Sequence, residues 1–125
     1  MTNRKTWARD ALISLLLAAG YMLIFAYNNT PLGAAIGSDN AMYLTMGTAL
    51  AKGYAPYTEI FDHKGPLLFL LQLLPQAVSG GYSLTAVFIQ ETLVLFACLM
   101  MMRAIAKELD VCPRAAQIVY MAMTC

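Results

Sequence analysis

A chain of 125 residues that is 60% hydrophobic and only 12% charged does not have a soluble domain's composition, in which about a quarter of residues are charged. A net charge of +1 gives no basic surface for nucleic acid. The cysteines form no CxxC pair and have no metal-ligand spacing, so we interpret Cys98, Cys112 and Cys125 as free thiols. The composition therefore indicates a membrane protein built from apolar helices.

The first predicted element is a membrane span over residues 11–27. These 17 residues carry no charge and would reach about 26 Å as a helix, the short end of the range for a span. Trp7 and Tyr27 flank the run as interfacial anchors, and the basic residues before it place the N-terminus in the cytoplasm. A cleaved signal peptide is the alternative, but the length of the run and the apolar segments that follow favour an uncleaved span.

Residues 28–64 form a predicted exterior loop of 37 residues. Within it, residues 38–40 (Ser-Asp-Asn) are a helix start signal and Gly53 is a stop signal, which predicts a short helix over residues 41–52. Its apolar residues recur at helical spacing and so share one face of the helix. We expect this amphipathic helix to lie along the membrane surface. That face comprises Met42, Met46, Ala49 and Leu50.

Two further spans are predicted over residues 65–80 and 82–102, and a partial one over residues 115–125. Two complete spans would leave the basic residues of the connector 103–114 outside, against the positive-inside bias. One broken helix from residue 65 to about residue 102 would put them inside, so the topology after Gly80 stays open. The last run has 11 residues, about 16 Å of helix, so we expect the N-terminal fragment of a longer protein.

The predicted fold class is an all-α membrane protein, with N-terminal transmembrane helices and an exterior loop that carries a short amphipathic helix. Charge collects in that loop, at the end of which a helix should begin with Pro66, directly after His63-Lys64-Gly65. A helix N-terminus has unpaired N–H groups and partial positive charge, so Lys64 beside it would suit a lipid phosphate. The alternatives are that Lys64 only extends to the interface and that Asp62 only caps the helix.

Asp39 is the second candidate, because a carboxylate near the membrane surface can accept a proton from an attacking hydroxyl. From the residues alone, an N-cap role for Asp39 is the favoured interpretation. Tyr43, one turn later, would share its face, with aromatic packing as the default role. Glu91 lies within an apolar span, and we interpret it as a buried structural acid.

Three segments together carry a resemblance to a known family: Asp39-x-x-x-Tyr43, Lys52-Gly53-x-x-Pro56-Tyr57 and Asp62-His63-Lys64-Gly65-Pro66-Leu67. In this order they resemble the first exterior loop of C-type glycosyltransferases (GT-C). The pattern is most similar to bacterial polyprenyl-phosphate-sugar enzymes of families 39 and 83, among them protein O-mannosyltransferases and lipid A aminoarabinose transferases. The resemblance covers residues 11 to about 103 and implies that residues 1–125 are the N-terminal part of a GT-C-like transmembrane domain.

The resemblance implies that Asp39 is the catalytic base or positions the acceptor, and that Lys64 binds the phosphate of the donor. The remaining candidate substrate-binding residues are His63, Tyr43, Tyr57 and Asp62.

Three positions depart from the family pattern. His63 stands where some relatives have an acid, which puts a metal role in doubt. Asn40 stands where the mannosyltransferases often have a second acid, and Gly65 replaces a common proline.

The implied reaction is inverting transfer of a sugar from a polyprenyl phosphate to an acceptor hydroxyl on the exterior face of the bacterial inner (plasma) membrane. The acceptor would be a lipid, a glycan or a protein, and the family needs no nucleotide sugar and often no metal cofactor. The fragment alone should be inactive because most of the donor cavity would be missing. The alternative function is a non-enzymatic membrane protein that binds lipid phosphate, or a subunit of a transporter.

Overall fold

A computed structural model describes residues 4–26, 32, 38–60 and 65–124, without the side chains of Arg4, Lys5, Ser38 and Asp39. Within these ranges the chain is helical and contains no strand, so the predicted all-α class is confirmed. The five helices are α1 (Arg4–Phe25), α2 (Ser38–Ala51), α3 (Pro66–Ser79), α4 (Leu84–Glu108) and α5 (Pro113–Met123).

Two helices are long and apolar enough to cross a membrane, over Thr6–Phe25 and Leu84–Glu108. They correspond to the spans predicted over residues 11–27 and 82–102. The other two predicted spans, over residues 65–80 and 115–125, fall on α3 and α5, which have 14 and 11 residues. Helices of that length reach about 21 and 16 Å, less than the hydrocarbon core of a bilayer at about 30 Å.

The chain divides into two compact units. The first comprises Met1–Ala26 and Glu91–Cys125, and therefore contains α1, most of α4 and α5. The second is Tyr27–Gln90 and contains α2, α3 and the first two turns of α4.

A buried ion pair joins the three helices of the first unit. The Nη2 group of Arg103 in α4 donates to Oδ2 of Asp10 in α1, and Nη2 of Arg114 in α5 lies 3.3 Å from Oδ1 of Asp10. Asp10 and Arg103 are only 7% and 8% exposed. A buried carboxylate is costly unless it is paired, so these two contacts fix the ends of three helices together.

A second set of hydrogen bonds continues along the same helices. Nε2 of Gln117 in α5 donates to Oγ of Ser14 in α1 at 2.9 Å and to the carbonyl of Leu99 in α4 at 3.0 Å. Along α1 the contacts ascend from Asp10 to Ser14, whereas along α4 they descend from Arg103 to Leu99. Hence α4 runs antiparallel to α1 and α5 runs parallel to α1. We call six residues the polar cluster: Asp10, Ser14, Leu99, Arg103, Arg114 and Gln117.

In the second unit, α2 and α3 pack side by side at a glycine. A Cβ atom on Gly47 would lie 2.6 Å from the carbonyl oxygen of Gln72, so only glycine allows the two backbones to approach this closely. One turn further on, Ala51 of α2 shares a cavity wall with Gln76 and Ala77 of α3. Because neighbouring positions ascend together along both helices, α2 and α3 run parallel, with their N-terminal ends at the same end of the pair.

The helix predicted within the loop is confirmed, with bounds Ser38–Ala51, but its predicted amphipathic character is wrong. Its apolar residues surround the helix instead of forming one face. Leu44 and Met46 are both buried although they lie two positions apart, whereas Met42 of the predicted face is only half-buried. A helix that is apolar all round is surrounded by protein or lipid, unlike one that lies on a membrane surface.

Replacing Gly47 with alanine should destabilise the protein, because the added methyl group would collide with the backbone of Gln72. Overpacking of this kind costs about 1–3 kcal/mol, which should lower the midpoint of chemical denaturation in detergent micelles. Gly20→Ala is the matched control, since Gly20 is also helical and a Cβ there would meet nothing within 4 Å. That control should be neutral or stabilising by up to about 1 kcal/mol. Equal midpoints for the two variants would contradict the close helix contact.

Arg103→Met should lower the free energy of unfolding by about 3 kcal/mol or more, because it removes the main partner of a buried carboxylate. The control is Arg9→Met. The guanidinium of Arg9 lies 3.7 Å from the Asp10 carboxylate, but the Arg9 side chain is 68% exposed. That loss should stay within about 1 kcal/mol. Changing Asp10 to asparagine in the Arg103→Met background should recover part of the stability. An Arg103→Met protein as stable as the control would show that the ion pair does not hold the helices.

Candidate functional site

Four of the six predicted site residues are not described in full. Asp62, His63 and Lys64 lie outside the described residues. Asp39 lies in the first turn of α2, and its side chain is outside the described part. Their predicted roles therefore stay predictions, and the helices on either side of them define where the site would be.

The two predicted tyrosines lie on different elements of the second unit. Tyr43 is a half-buried residue of α2, one turn after Asp39. Tyr57 lies in the loop after α2, where its ring centroid is 6.1 Å from that of Phe69, with 50° between the ring planes. Phe69 is buried in the first turn of α3. The loop after α2 thus returns to the end of the helix pair at which α3 begins.

A compact turn holds Tyr57 in place. Its N–H donates to the carbonyl of Ile60 at 2.7 Å, and the carboxylate of Glu59 accepts a hydrogen bond from the N–H of Ala55 at 2.7 Å. Tyr57 has a φ of 64°, a left-handed conformation that costs a non-glycine residue about 1–3 kcal/mol. The ring contact with Phe69 and the turn's hydrogen bonds offset that cost.

The beginning of α3 favours an anion. Gly65 occupies the N-cap position with extended backbone, and Pro66 is the first helical residue. Because the N-cap residue is a glycine, it supplies no side-chain acceptor to offset the partial positive charge of this helix end. Because α2 begins at the same end of the pair, its N-terminus adds a second partial positive charge there. Asp39 lies in that turn of α2, and Lys64 directly precedes Gly65 in the sequence.

Among the described residues, no group of three or more His, Cys, Asp or Glu side chains is placed to hold a metal ion.

Sequence reasoning missed the polar cluster. Asp10 is a lone acid between basic residues and an apolar run, and Arg103 directly follows the longest apolar run. An acid and a base at the ends of two predicted spans indicate a possible ion pair. The local sequence does not show, however, that these two spans are neighbours.

An exposed thiol lies beside the polar cluster, in the connector between α4 and α5. The pKa of Cys112 is lowered from its usual value, first by the backbone N–H groups of Ala115 and Arg114 at the start of α5, and further by the positive charges of Arg103 and Arg114. The thiolate is therefore favoured at the N-terminal end of this helix.

Comparisons with protein-family models, with curated proteins and with solved structures gave no match for this chain. The functional argument therefore depends on the residues and their arrangement.

Alkylation of Cys112 by iodoacetamide should reach half of its maximal rate at a lower pH in the folded protein than in the same chain unfolded in denaturant. The reason is that only the thiolate reacts, and the folded state favours it. The measurement uses the variant Cys98→Ser, Cys125→Ser, so that a single thiol reports. Arg114→Gln should move the midpoint toward that of the unfolded chain. A folded midpoint equal to or above the unfolded one would contradict the assigned environment.

Proposed function

We propose that this chain is the N-terminal part of a GT-C-type membrane glycosyltransferase. It moves a sugar from a polyprenyl-phosphate donor to an acceptor hydroxyl on the exterior face, with inversion at the anomeric carbon. The observation that supports this most is the parallel packing of α2 and α3, which brings their N-terminal ends to the same end of the pair. Asp39 belongs to the first of these ends, and Lys64 adjoins the second.

The proposed reaction is a single direct displacement. The carboxylate of Asp39 takes the proton of the acceptor hydroxyl while its oxygen bonds to the anomeric carbon. The bond between that carbon and the phosphate oxygen breaks, and the electron pair leaves with the phosphate. Lys64 and the N-terminal end of α3, whose N-cap residue is a glycine, stabilise the growing negative charge. Because only one displacement occurs, the anomeric configuration inverts.

The proposed orientation follows from the first unit. There, Arg103 and Arg114 lie at the same end of the helices as Asp10 and the N-terminal end of α1. If α1 and α4 both cross the membrane, a cytoplasmic position of this end satisfies the positive-inside bias for the basic residues of the first unit. The segment that joins the far ends of α1 and α4 then lies on the exterior side.

The second candidate function is a protein that binds lipid phosphate without chemistry, either alone or as a subunit of a transporter. The start of α3 favours it as well, because the N-terminal end of a helix binds an anion whether or not a base is nearby. The two functions differ in whether Asp39 matters.

Membranes that contain the full-length protein and labelled polyprenyl-phosphate sugars should transfer label to an acceptor. Asp39→Asn should lower the rate by about 10²–10⁴-fold, because it removes the base. Lys64→Ala should lower it by about 10²-fold or more, because the leaving phosphate loses its cation. Both variants should accumulate to the normal level.

The matched controls are Glu108→Gln and Lys107→Ala, which change exposed charges near the end of α4. Both should transfer at the parental rate. Unimpaired transfer by Lys64→Ala would refute the phosphate role. Donor binding that depends on Lys64, with no transfer by the parent protein under any acceptor condition, would favour the second candidate function.

A further inference from the structure

A cavity of about 240 Å³ lies at the C-terminal end of α2, within the second unit. We call it the Lys52 cavity, and it is lined by Thr45, Thr48, Ala49, Lys52, Tyr54 and Tyr82. A smaller cavity of about 150 Å³ shares Thr48 and Lys52 with it and is bounded by the end of α3. Lys52 therefore lies between two adjoining cavities.

The end of α2 fixes one wall of the Lys52 cavity. The N–H of Lys52 donates to the carbonyls of Thr48 and Ala49 at 3.1 Å each. Gly53 ends the helix with a φ of 91°, and the N–H of Tyr54 then donates back to the carbonyl of Ala49 at 3.1 Å. The backbone of Tyr54 is thus held against the last turn of the helix.

The end of α3 fixes the opposite wall. Gly80 and Gly81 have φ values of 73° and 152°, so the chain leaves α3 through a left-handed turn that only glycine adopts easily. The N–H of Gly81 donates to the carbonyl of Gln76 at 2.9 Å, and the N–H of Ser83 donates to its side-chain oxygen at 3.0 Å. Tyr82 lies between these two anchored residues.

The lining combines two aromatic rings with a few polar groups. Tyr54 and Tyr82 are 50% and 55% exposed, so their rings can contact a ligand. The hydroxyls of Thr45 and Thr48 each donate to a carbonyl of α2 at 2.8 Å, which leaves oxygen lone pairs as acceptors. Aromatic faces with hydrogen-bonding groups around them match a pyranose ring, whose faces are C–H groups and whose edges are hydroxyls.

The charge of the lining indicates which kind of sugar the cavity would bind. Lys52 is the one charged side chain among the described residues that line either cavity. Its ammonium is the group that pairs with an anionic ligand there, against the partial negative charge of the helix C-terminal ends.

We infer that the Lys52 cavity binds a single sugar ring that carries a phosphate or a carboxylate. The volume is below the roughly 300 Å³ at which sites for drug-sized ligands begin, which fits one ring and not an oligosaccharide. Lys52 is 13 residues beyond Asp39, about 20 Å along a helix. The cavity is therefore distinct from the proposed reaction site, and the inference stands whether or not the chain transfers sugar.

Isothermal titration of the full chain in detergent with glucose 1-phosphate tests the site, with glucose and inorganic phosphate as partial ligands. Glucose 1-phosphate should bind at least tenfold more tightly than either. Lys52→Met should weaken it at least tenfold, whereas Lys107→Met, at another exposed lysine, should leave binding unchanged. Tyr82→Leu should weaken binding and Tyr82→Phe should retain it, because the ring provides the contact. Circular dichroism checks that each variant is folded.

A polyhydroxylated ring with a phosphate could come from solution, as a sugar phosphate, or from a lipid headgroup, as the cyclitol of phosphatidylinositol, and nanodiscs distinguish the two. Competition with glucose 1-phosphate by nanodiscs of phosphatidylinositol, but not of equally charged phosphatidylglycerol, would assign the headgroup as the source. Binding of glucose 1-phosphate without such competition would assign the free sugar phosphate. The inference is wrong if no probe binds, if Lys52→Met binds as well as the parent, or if inorganic phosphate matches glucose 1-phosphate and Tyr82→Leu has no effect.

Discussion

The close approach of α2 to α3 at Gly47 is the constraint on which the arrangement of the second unit depends. Because no side chain separates the backbones at this point, the two helices are held in one register, with Ala51 facing Gln76 and Ala77. Two parallel neighbouring helices have aligned dipoles, each equivalent to about half a positive charge at its N-terminal end. That arrangement is less unfavourable when an anion lies near those ends. Asp39, in the first turn of α2, and a bound phosphate would each supply one, which links the fold of this unit to its proposed function.

The first unit uses charge for a different purpose. Asp10 accepts from Arg103 of α4 and Arg114 of α5, and its backbone carbonyl accepts from Ser14. One carboxylate thus specifies which ends of three otherwise apolar helices meet. Apolar surfaces pack with little preference for direction in lipid, so polar contacts decide the orientation.

Local signals predicted much of the fold. An uncharged run marked α1, and an apolar run with Glu91 as its one charge marked α4. Pro66 marked the start of α3, and the glycines after residue 79 marked its end. The parallel packing of α2 and α3 could not be predicted. The sequence around Gly47 does not indicate which segment lies against this glycine. The pair of Asp10 and Arg103 joins positions 93 residues apart. The prediction that α2 is amphipathic failed because it considered the four apolar residues of one face. It did not take into account Leu44, which is apolar and lies on another face.

Part of the candidate site could likewise be predicted from the sequence, and part required the structure. The sequence pattern identified Tyr57 as part of a motif but gave no reason for its position, whereas the structure shows its ring against Phe69 at the start of α3. The Lys52 cavity was missed because Tyr82 comes from a segment 30 residues away from Lys52 in the chain. Sites made from separate segments need the tertiary contact to be known first, and here that contact is again the one between α2 and α3.

The segment from Lys52 to Pro66 joins the end of α2 to the beginning of a parallel helix, α3. Parallel helices cannot be joined by a tight turn, so the chain must run back along the 14 residues of α3, about 21 Å, before that helix can begin. Gly53 ends α2 with a positive φ, and Tyr57 takes a left-handed conformation at which its ring reaches Phe69. The return path therefore brings Tyr57 and Gly65 to the end of the pair at which α2 also begins. The structure thus gives Gly53 and Tyr57 of the motif a role in the path of the chain.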